Sequence, residues 1–280
     1  MTKQNILITG CSTGIGFCAA KVLHQQGYNV IATVRKPSDA KALQQLGITT
    51  TELELADSES IQRTIDFTLA HFNGQVDGLF NNAAYGQPGA IEDLSRDVLR
   101  QQFETNVFGT QELTNLVIAQ MRKQGHGRII YNSSVLGIIS MAYRGAYNAS
   151  KYAIEGLADT LRQELHGSNI TISLIEPGPI LSQFRANAFA KYQQHIDKEG
   201  STHQATYVAM EQRLKKQGPA APFTLPPEAV VKKVLHALES KRPKIRYYVT
   251  FPTYLFATLK RFLPHRCLDW VLIKVSQNEN

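Results

Sequence analysis

Three observations predict a doubly wound α/β fold, a parallel sheet covered by helices on both faces, with a helical C-terminal extension. The 280-residue chain alternates short apolar runs with longer helical patterns. Its first apolar run, Asn5 to Thr9, opens into a glycine-rich loop followed at once by a helical stretch, Ile15 to Gln26. Hydrophobic residues make up 43% and charged residues 19%, which suits one large folded domain and carries no signature of disorder.

Each element follows from its local pattern. The loop Thr9-Gly10-Cys11-Ser12-Thr13-Gly14-Ile15-Gly16 stands between strand and helix. There glycines let the backbone turn tightly and approach a pyrophosphate, whose charge is stabilised by free amides at the helix N-terminus. Asn29 to Val34 reads as the second strand and ends at Arg35-Lys36. Ser38 is placed to cap a helix running to Leu46, and Thr50 to Leu55 reads as the third strand. Helix Ser58 to Phe72 and strand Val76 to Phe80 follow, the strand opening onto Asn81-Asn82-Ala83-Ala84. A long helix is expected from Arg96 to Lys123 with Asn106 inside it, then a buried strand, Arg128 to Tyr131, leading to Ser133-Ser134. Beyond a helix from Gly145 to Gly167 come strand Ile170 to Ile175 and a Pro177-Gly178 turn. Leu181 to Pro226 lacks strong periodicity, Pro227 starts a helix to Ser240, and Ile245 to Val249 supplies a last parallel strand.

Chemistry concentrates between Ser134 and Lys151. Ser134 precedes Tyr147 by thirteen positions, and Tyr147 precedes Lys151 by four. On a helix the last two share a face, one turn apart. An ammonium beside a phenol favours the phenolate and lowers its pKa, so the pair can exchange a proton with an alcohol or carbonyl. In isolation Tyr-x-x-x-Lys is more often a lysine stem packed over a ring.

Taken with Gly10-x-x-x-Gly14-x-Gly16, Asn81-Asn82-Ala83-Ala84, Asn106-Val107-Phe108-Gly109 and Pro177-Gly178-Pro179-Ile180, the pattern resembles the classical short-chain dehydrogenase/reductase family. The tail and the Ile-Glu-Pro-Gly-Pro-Ile region look similar to its 17β-hydroxysteroid and retinol dehydrogenase-like branch, which includes bacterial aldehyde reductases. The resemblance implies a Rossmann fold and a catalytic set of Asn106, Ser134, Tyr147 and Lys151. It implies cofactor contacts from Gly10, Ser12, Thr13, Gly14, Ile15 and Gly16, from Asn82 and Ala83, and from Pro177, Gly178, Ile180 and Ser182. Tyr147 would donate a proton to the substrate carbonyl, Ser134 would orient it, Lys151 would bind ribose hydroxyls, and Asn106 would hold a water in a proton relay. Where NAD-preferring relatives carry an acid after the second strand, this chain has Arg35-Lys36, which favours NADP(H) through a charge-assisted contact to a 2′-phosphate. The other reading of Arg35 and Lys36 is a solvated strand end. Glu54-Leu55 replaces the usual Asp-Val beside the adenine, and Ala84 replaces a usual glycine. A homodimer is expected, through outer faces of the two long helices carrying Phe103, Val107, Leu116, Leu157 and Leu161.

Composition bounds the rest. Cys11, Cys18 and Cys267 show neither Cys-x-x-Cys spacing nor a histidine cluster, so no disulfide framework and no metal site are expected. Reduced thiols and the absence of a basic-then-apolar leader point to the cytoplasm. Residues 1–250 are expected to form the dehydrogenase domain, with a substrate lid over 182–226 that carries Phe184, Phe189, Tyr192, Tyr207, Met210 and Phe223. Residues 251–280 form a basic amphipathic extension. From Lys241 onward eight basic and two acidic residues give +6 of the chain's +7 charge. Leu255, Phe256, Leu259, Phe262 and Leu263 recur there at helical spacing beside Lys260, Arg261 and Arg266. That segment reads as a cover on the active-site cleft, a subunit contact or a peripheral membrane contact. Without a recognised module, the charge does not indicate nucleic acid. The function expected is NADPH-dependent reduction of an aldehyde or ketone. The alternatives are NAD-dependent alcohol, steroid or retinol oxidation and a non-catalytic NADP(H)-binding sensor.

Overall fold

Alternation of side chains along each strand decides how the sheet is covered. Ile6 and Ile8 of β1 (Asn5–Ile8) point to one face and Leu7 to the other. The same division recurs on β2 (Asn29–Val34), where Val30 and Ala32 oppose Ile31. Both faces must therefore be buried, which is the condition for an all-parallel sheet. The computed structural model, which describes residues 4–216, 218–219 and 221–278, has a seven-stranded sheet in the order β3-β2-β1-β4-β5-β6-β7, with every pairing parallel. Its remaining strands are β3 (Thr49–Glu52), β4 (Gly78–Asn81), β5 (Gly127–Asn132), β6 (Ile170–Pro177) and β7 (Arg246–Val249). Positions 217 and 220 of the expected lid, and the ends of the two expected domains at 1–3 and 279–280, lie outside the described residues.

One face is closed by α1 (Gly14–Gln25) and, late in the chain, α9 (Glu228–Glu239), whose Leu23, Val230, Val234 and Leu238 pack on Ile6, Ile8 and Phe80. On the other face lie α3 (Ser58–His71), α5 (Thr110–Gln124) and α6 (Gly145–Glu164), which bury Ile61, Leu113, Val117 and Ile154 against Leu7, Leu79 and Ile129. Asp57 caps α3 by accepting from Glu59 N at 3.0 Å. Gly125, left-handed at φ 80°, ends α5.

Several expectations change. The helix from Ser38 is a 3-10 turn, Pro37–Ala40, followed by one short turn of α2 (Lys41–Gln44). Ser38 makes no cap, and its hydroxyl turns to Asp39. The third strand stops at Glu52, so Glu54 and Leu55 stand in the loop beyond it. The long helix is α4 (Arg96–Phe103), a π segment Glu104–Gly109, and α5. The wider turn rotates Val107 inward and leaves Phe108 53% exposed beside Phe103. The apparently aperiodic stretch 181–226 holds two helices, α7 (Phe184–His195) and α8 (Gln204–Lys215). Each buries only a narrow stripe, Ala188 and Tyr192 on one and Tyr207, Met210 and Leu214 on the other, too few positions to mark a period. The extension is a pair of helices, α10 (Phe251–Phe262) and α11 (His265–Asn278).

Candidate active site

The C-terminal ends of β1, β4, β5 and β6 converge on one edge of the sheet. Gly10 (φ 70°) and Gly14 (φ 59°) take left-handed backbone that other residues adopt only under strain. A Cβ on Gly16 would overlap the Gly10 carbonyl, so close packing of loop on helix requires glycine there. Thr9 Oγ1 accepts from the amides of Asn82 and Ala83, each at 2.9 Å, and Asn82 Nδ2 donates to the Thr9 and Gly10 carbonyls at 3.0 Å. The loops after β1 and β4 are thereby fastened together. Thr13 begins α1 without a side-chain hydrogen bond to the first turn, so the helix terminus keeps its donors for an anion. Ser12 and Ile15 are half-buried beside it, and a Cβ on Gly14 would come 3.0 Å from that of Ser182, across the loop. Ala84 is absent from the positive-φ residues, so it needs no glycine-like conformation.

Ser134, Tyr147 and Lys151 line one wall. Ser134 follows β5 and holds its turn by accepting from Leu136 N at 3.1 Å. Tyr147 and Lys151 lie on the first turns of α6, with the ammonium 5.6 Å from the ring centroid. Lys151 Nζ donates to the Asn132 carbonyl at 2.7 Å, and Asn132 Nδ2 donates to Asn82 Oδ1 at 2.9 Å, so lysine, β5 and β4 form one bonded line. The expected lowering of the Tyr147 pKa is not what this geometry yields. Burial pushes the phenol up and outweighs the opposing hydrogen-bond contact with Ser134. Burial also pushes Lys151 down to about 8, opposed by the Glu155 carboxylate one turn on. Desolvation dominates both groups.

Asn106 lies in the π segment, buried, and spends its amide on the loop after β4. Oδ1 accepts from Tyr85 N at 3.1 Å, while Nδ2 donates to Tyr85 O at 2.9 Å and to Ser150 Oγ at 3.1 Å. Glu54 turns its carboxylate to the Ala56 amide at 3.1 Å, and the buried Leu55 offers a carbonyl so near Gly109 that a Cβ there would overlap it. Arg35 and Lys36 are exposed at the end of β2. Gly178 N donates to Val249 O at 3.0 Å, and a Cβ on Gly178 would overlap Thr250 Oγ1, so the Pro177-Gly178 turn is clamped to the end of β7 with Ile180 half-buried beyond it. Ser182 Oγ accepts from Phe184 N at 3.3 Å at the start of α7.

The flanks come from the two late segments. Phe184 meets the Tyr147 ring edge-on at 5.2 Å. Phe256, Leu259, Leu268 and Leu272 of the extension pack with Leu136, Ile139 and Tyr147. Lys260 turns inward, donating to the Ile138 carbonyl and, at 3.2 Å, to Tyr152 Oη. Tyr207 and Ser201, the latter at 2.6 Å, donate to Asp93, and His203 meets Glu92 at 2.5 Å, fixing α8 to the loop before α4. Asn132, Tyr85 and the buried Glu176 had no sequence signal of their own. Glu155 alone stood at a legible position, one turn beyond Lys151 on the same helix face.

Comparison with known proteins places the chain in a family. The family model described as short chain dehydrogenase matches residues 4–193. An uncharacterized oxidoreductase of Escherichia coli, YbbO, is 43% identical over 270 residues, 96% of this chain and 94% of that protein. The NADPH-dependent 3-dehydrocapnine reductase of Ornithobacterium rhinotracheale is 30% identical over 282 residues, covering 96% and 95%. A solved short-chain dehydrogenase of Streptomyces avermitilis superposes over the whole of both chains with a TM-score of 0.77 at 26% identity. Fold and relatives together define an oxidoreductase acting on a carbonyl or alcohol group with a nicotinamide cofactor. The chain belongs to the short-chain dehydrogenase family. Among the described residues no helix is long and apolar enough to cross a membrane, and no cluster of His, Cys, Asp and Glu suits a metal ion.

Proposed function

We propose that this protein is an NADPH-dependent reductase of aldehydes or ketones, acting reversibly, with Asn106, Ser134, Tyr147 and Lys151 as its catalytic set. The carrying observation is that Ser134 and Tyr147 share a wall beside the glycine loop, with Lys151 bonded to Asn132 just behind them. The loop fits a dinucleotide, because Gly10 and Gly16 let it pack tightly on Ala83 and on the start of α1, which presents uncapped amides to a pyrophosphate. When bound, the nicotinamide supplies hydride to the carbonyl carbon. Ser134 donates a hydrogen bond to the carbonyl oxygen, stabilising the charge that develops there, and Tyr147 transfers its phenolic proton to that oxygen. With an unperturbed pKa of about 10 the phenol carries its proton at neutral pH, as a proton donor requires. Lys151 would hold the cofactor's ribose hydroxyls and keeps its ammonium beside Tyr147. Asn106 fixes the Tyr85 loop alongside and supports the relay.

NADP(H) is favoured by Arg35 and Lys36, which are exposed at the end of β2, the position where NAD-preferring relatives carry an acid. The Ornithobacterium relative is named for NADPH. Arg35→Asp is expected to weaken NADPH at least tenfold more than NADH, since it replaces a phosphate partner by a repelling charge. Titration of both cofactors by fluorescence measures the ratio, and an unchanged ratio would make Arg35 a bystander.

Helices α7 and α8 form the substrate lid, and α10 and α11 cover the far flank of Tyr147, their outer side being left for a peripheral membrane contact. Free thiols, Cys11 and Cys18 buried and Cys267 exposed, suit the cytoplasm. A homodimer is expected through α4, α5 and α6, with exposed Phe108 taking the place assigned to Val107 in the apolar seam. Sedimentation at micromolar concentration should show twice the chain mass, and monomer alone would count against this seam.

A further inference from the structure

Helices α10 and α11 are amphipathic in two senses. Their inner faces are committed to the core beneath Tyr147, through Phe256, Leu259 and Leu272. On α10, Phe251, Tyr254, Leu255, Thr258 and Phe262 lie within about 100° of arc at 3.6 residues per turn. All five point outward, and Phe262 is 74% exposed. On α11 the exposed arc carries Trp270, 59% exposed, and Ile273, flanked by Arg266 and Lys274. A water-facing helix side normally carries polar residues, so an outward apolar stripe marks a surface that meets something apolar.

The charge beside it is mainly positive, with Asp269 an acid on the exposed side of α11. Lys274 Nζ stands 4.0 Å from the Trp270 ring centroid and the Arg261 guanidinium 5.9 Å from that of Phe262. Next to the stripe is a hollow of about 270 Å³ lined by Lys232, Lys233, Tyr248, Tyr254 and Leu225. Rings and aliphatic side chains interleaved with lysine and arginine complement an apolar interior under an anionic surface. The stripe also continues to the chemistry. Phe251 meets Phe223 at 5.0 Å, Leu225 is bonded through its carbonyl to Leu181 N at 2.9 Å, and Phe184, three residues on, touches Tyr147.

We propose that the outer face of α10 and α11, with Phe223 and the Lys232–Lys233 hollow, docks in the plane of a bilayer containing anionic lipid. Docking sets segment 223–225, whose Leu225 is bonded to Leu181 beside the flank of Phe184 and Tyr147, against the membrane, so that carbonyl substrates with an apolar tail enter from the lipid phase. The docking stands on the surface alone, whereas the substrate route rests on the reductase reading.

Trp270 is the chain's only tryptophan, so intrinsic emission reports this face. The full-length protein is mixed with vesicles of phosphatidylcholine alone or with roughly one third phosphatidylglycerol, at low salt and at about 0.5 M salt, where exposed charges are screened. Anionic vesicles at low salt should pellet the protein and shift Trp270 emission to the blue, with partitioning at least tenfold weaker on neutral vesicles or in high salt. Phe262→Ser with Ile273→Ser, and separately Arg266→Glu with Lys274→Glu, should each lower partitioning at least tenfold while turnover of a short water-soluble aldehyde with NADPH stays within twofold. Turnover of a long-chain aldehyde held in the vesicles should fall with partitioning. No pelleting with anionic vesicles overturns the proposal, as does pelleting that survives loss of Phe262 and Ile273, which would be charge adsorption only. Blue-shifted emission before any vesicle is added, with a smaller particle in the serine variant, would assign the face to a second copy of the chain and also overturn it. Vesicle binding without turnover of any aldehyde would remove the reductase reading and its substrate route while the docking surface stands.

Discussion

Tyr147→Phe is expected to lower kcat/KM for an aldehyde or ketone by at least tenfold and by about 10²- to 10⁴-fold if proton transfer limits the rate, the range for loss of a positioned general acid. The substitution removes one oxygen from a half-buried ring. The ring keeps its packing on Leu136, Phe256 and Phe184. Ser134 retains its bond from Leu136 N, so the wall should stay in place. Lys151 keeps its bond to Asn132, and NADPH affinity should change little. The informative pattern is therefore a fall in kcat with near-constant cofactor affinity and melting temperature. Turnover above about a tenth of the wild-type value would refute the assignment of Tyr147 as the proton donor.

Arg246→Leu should produce the largest loss of stability, about 3 kcal/mol at pH 8, near the low end for breaking a buried charge pair because Arg246 is 31% exposed. Its guanidinium, at the start of β7, bonds Glu155, Glu176 at 2.6 Å and Asp159 at 2.6 Å. Glu176 has 0% exposure; its Oε1 accepts from Arg246, and its Oε2 has no hydrogen-bond partner among the described residues. Burial pushes Glu176 up to about 8 from 4.5, the Glu155 charge adds to the rise, and Arg246 opposes it. A folded-state pKa above the unfolded one means that this group's contribution is complete below about 4.5 and lost as pH rises through about 8. Without Arg246 both carboxylates rise further, so the deficit should be smallest near pH 5 and grow toward pH 8. Urea unfolding of both forms at the two pH values measures it. Adding Glu176→Gln should return part of the loss by removing the buried charge that the arginine neutralised. An equal deficit at both pH values would mean that lost packing, not charge, is responsible. Glu155 also hydrogen-bonds Ser133, the neighbour of Ser134, so the variant should disturb turnover as well.

Glycine at 10, 14 and 16, the apolar strand runs, and Ser134, Tyr147 and Lys151 at their spacings were all readable, because each depends on steric or helical geometry within about twenty residues. The same locality made α10 visible as a helix, although Leu255 and Phe262, read together with Phe256 and Leu259 as one apolar pattern, point outward. Helices α7 and α8 were not visible, since they bury so little that their pattern blends with a loop. Nor was the π segment, whose extra residue moved Val107 inward and Phe108 outward. Sequence alone determined the doubly wound sheet, the glycine cradle and the wall that carries the tyrosine. Tertiary structure decided the rest. It set the direction of the Tyr147 and Lys151 shifts, the Arg246 cluster joining groups 70 to 91 positions apart, and the exposure of an apolar stripe beside the cleft. These depend on which distant segments exclude water from a group, and desolvation outweighs the attraction between neighbours that sequence spacing can reveal.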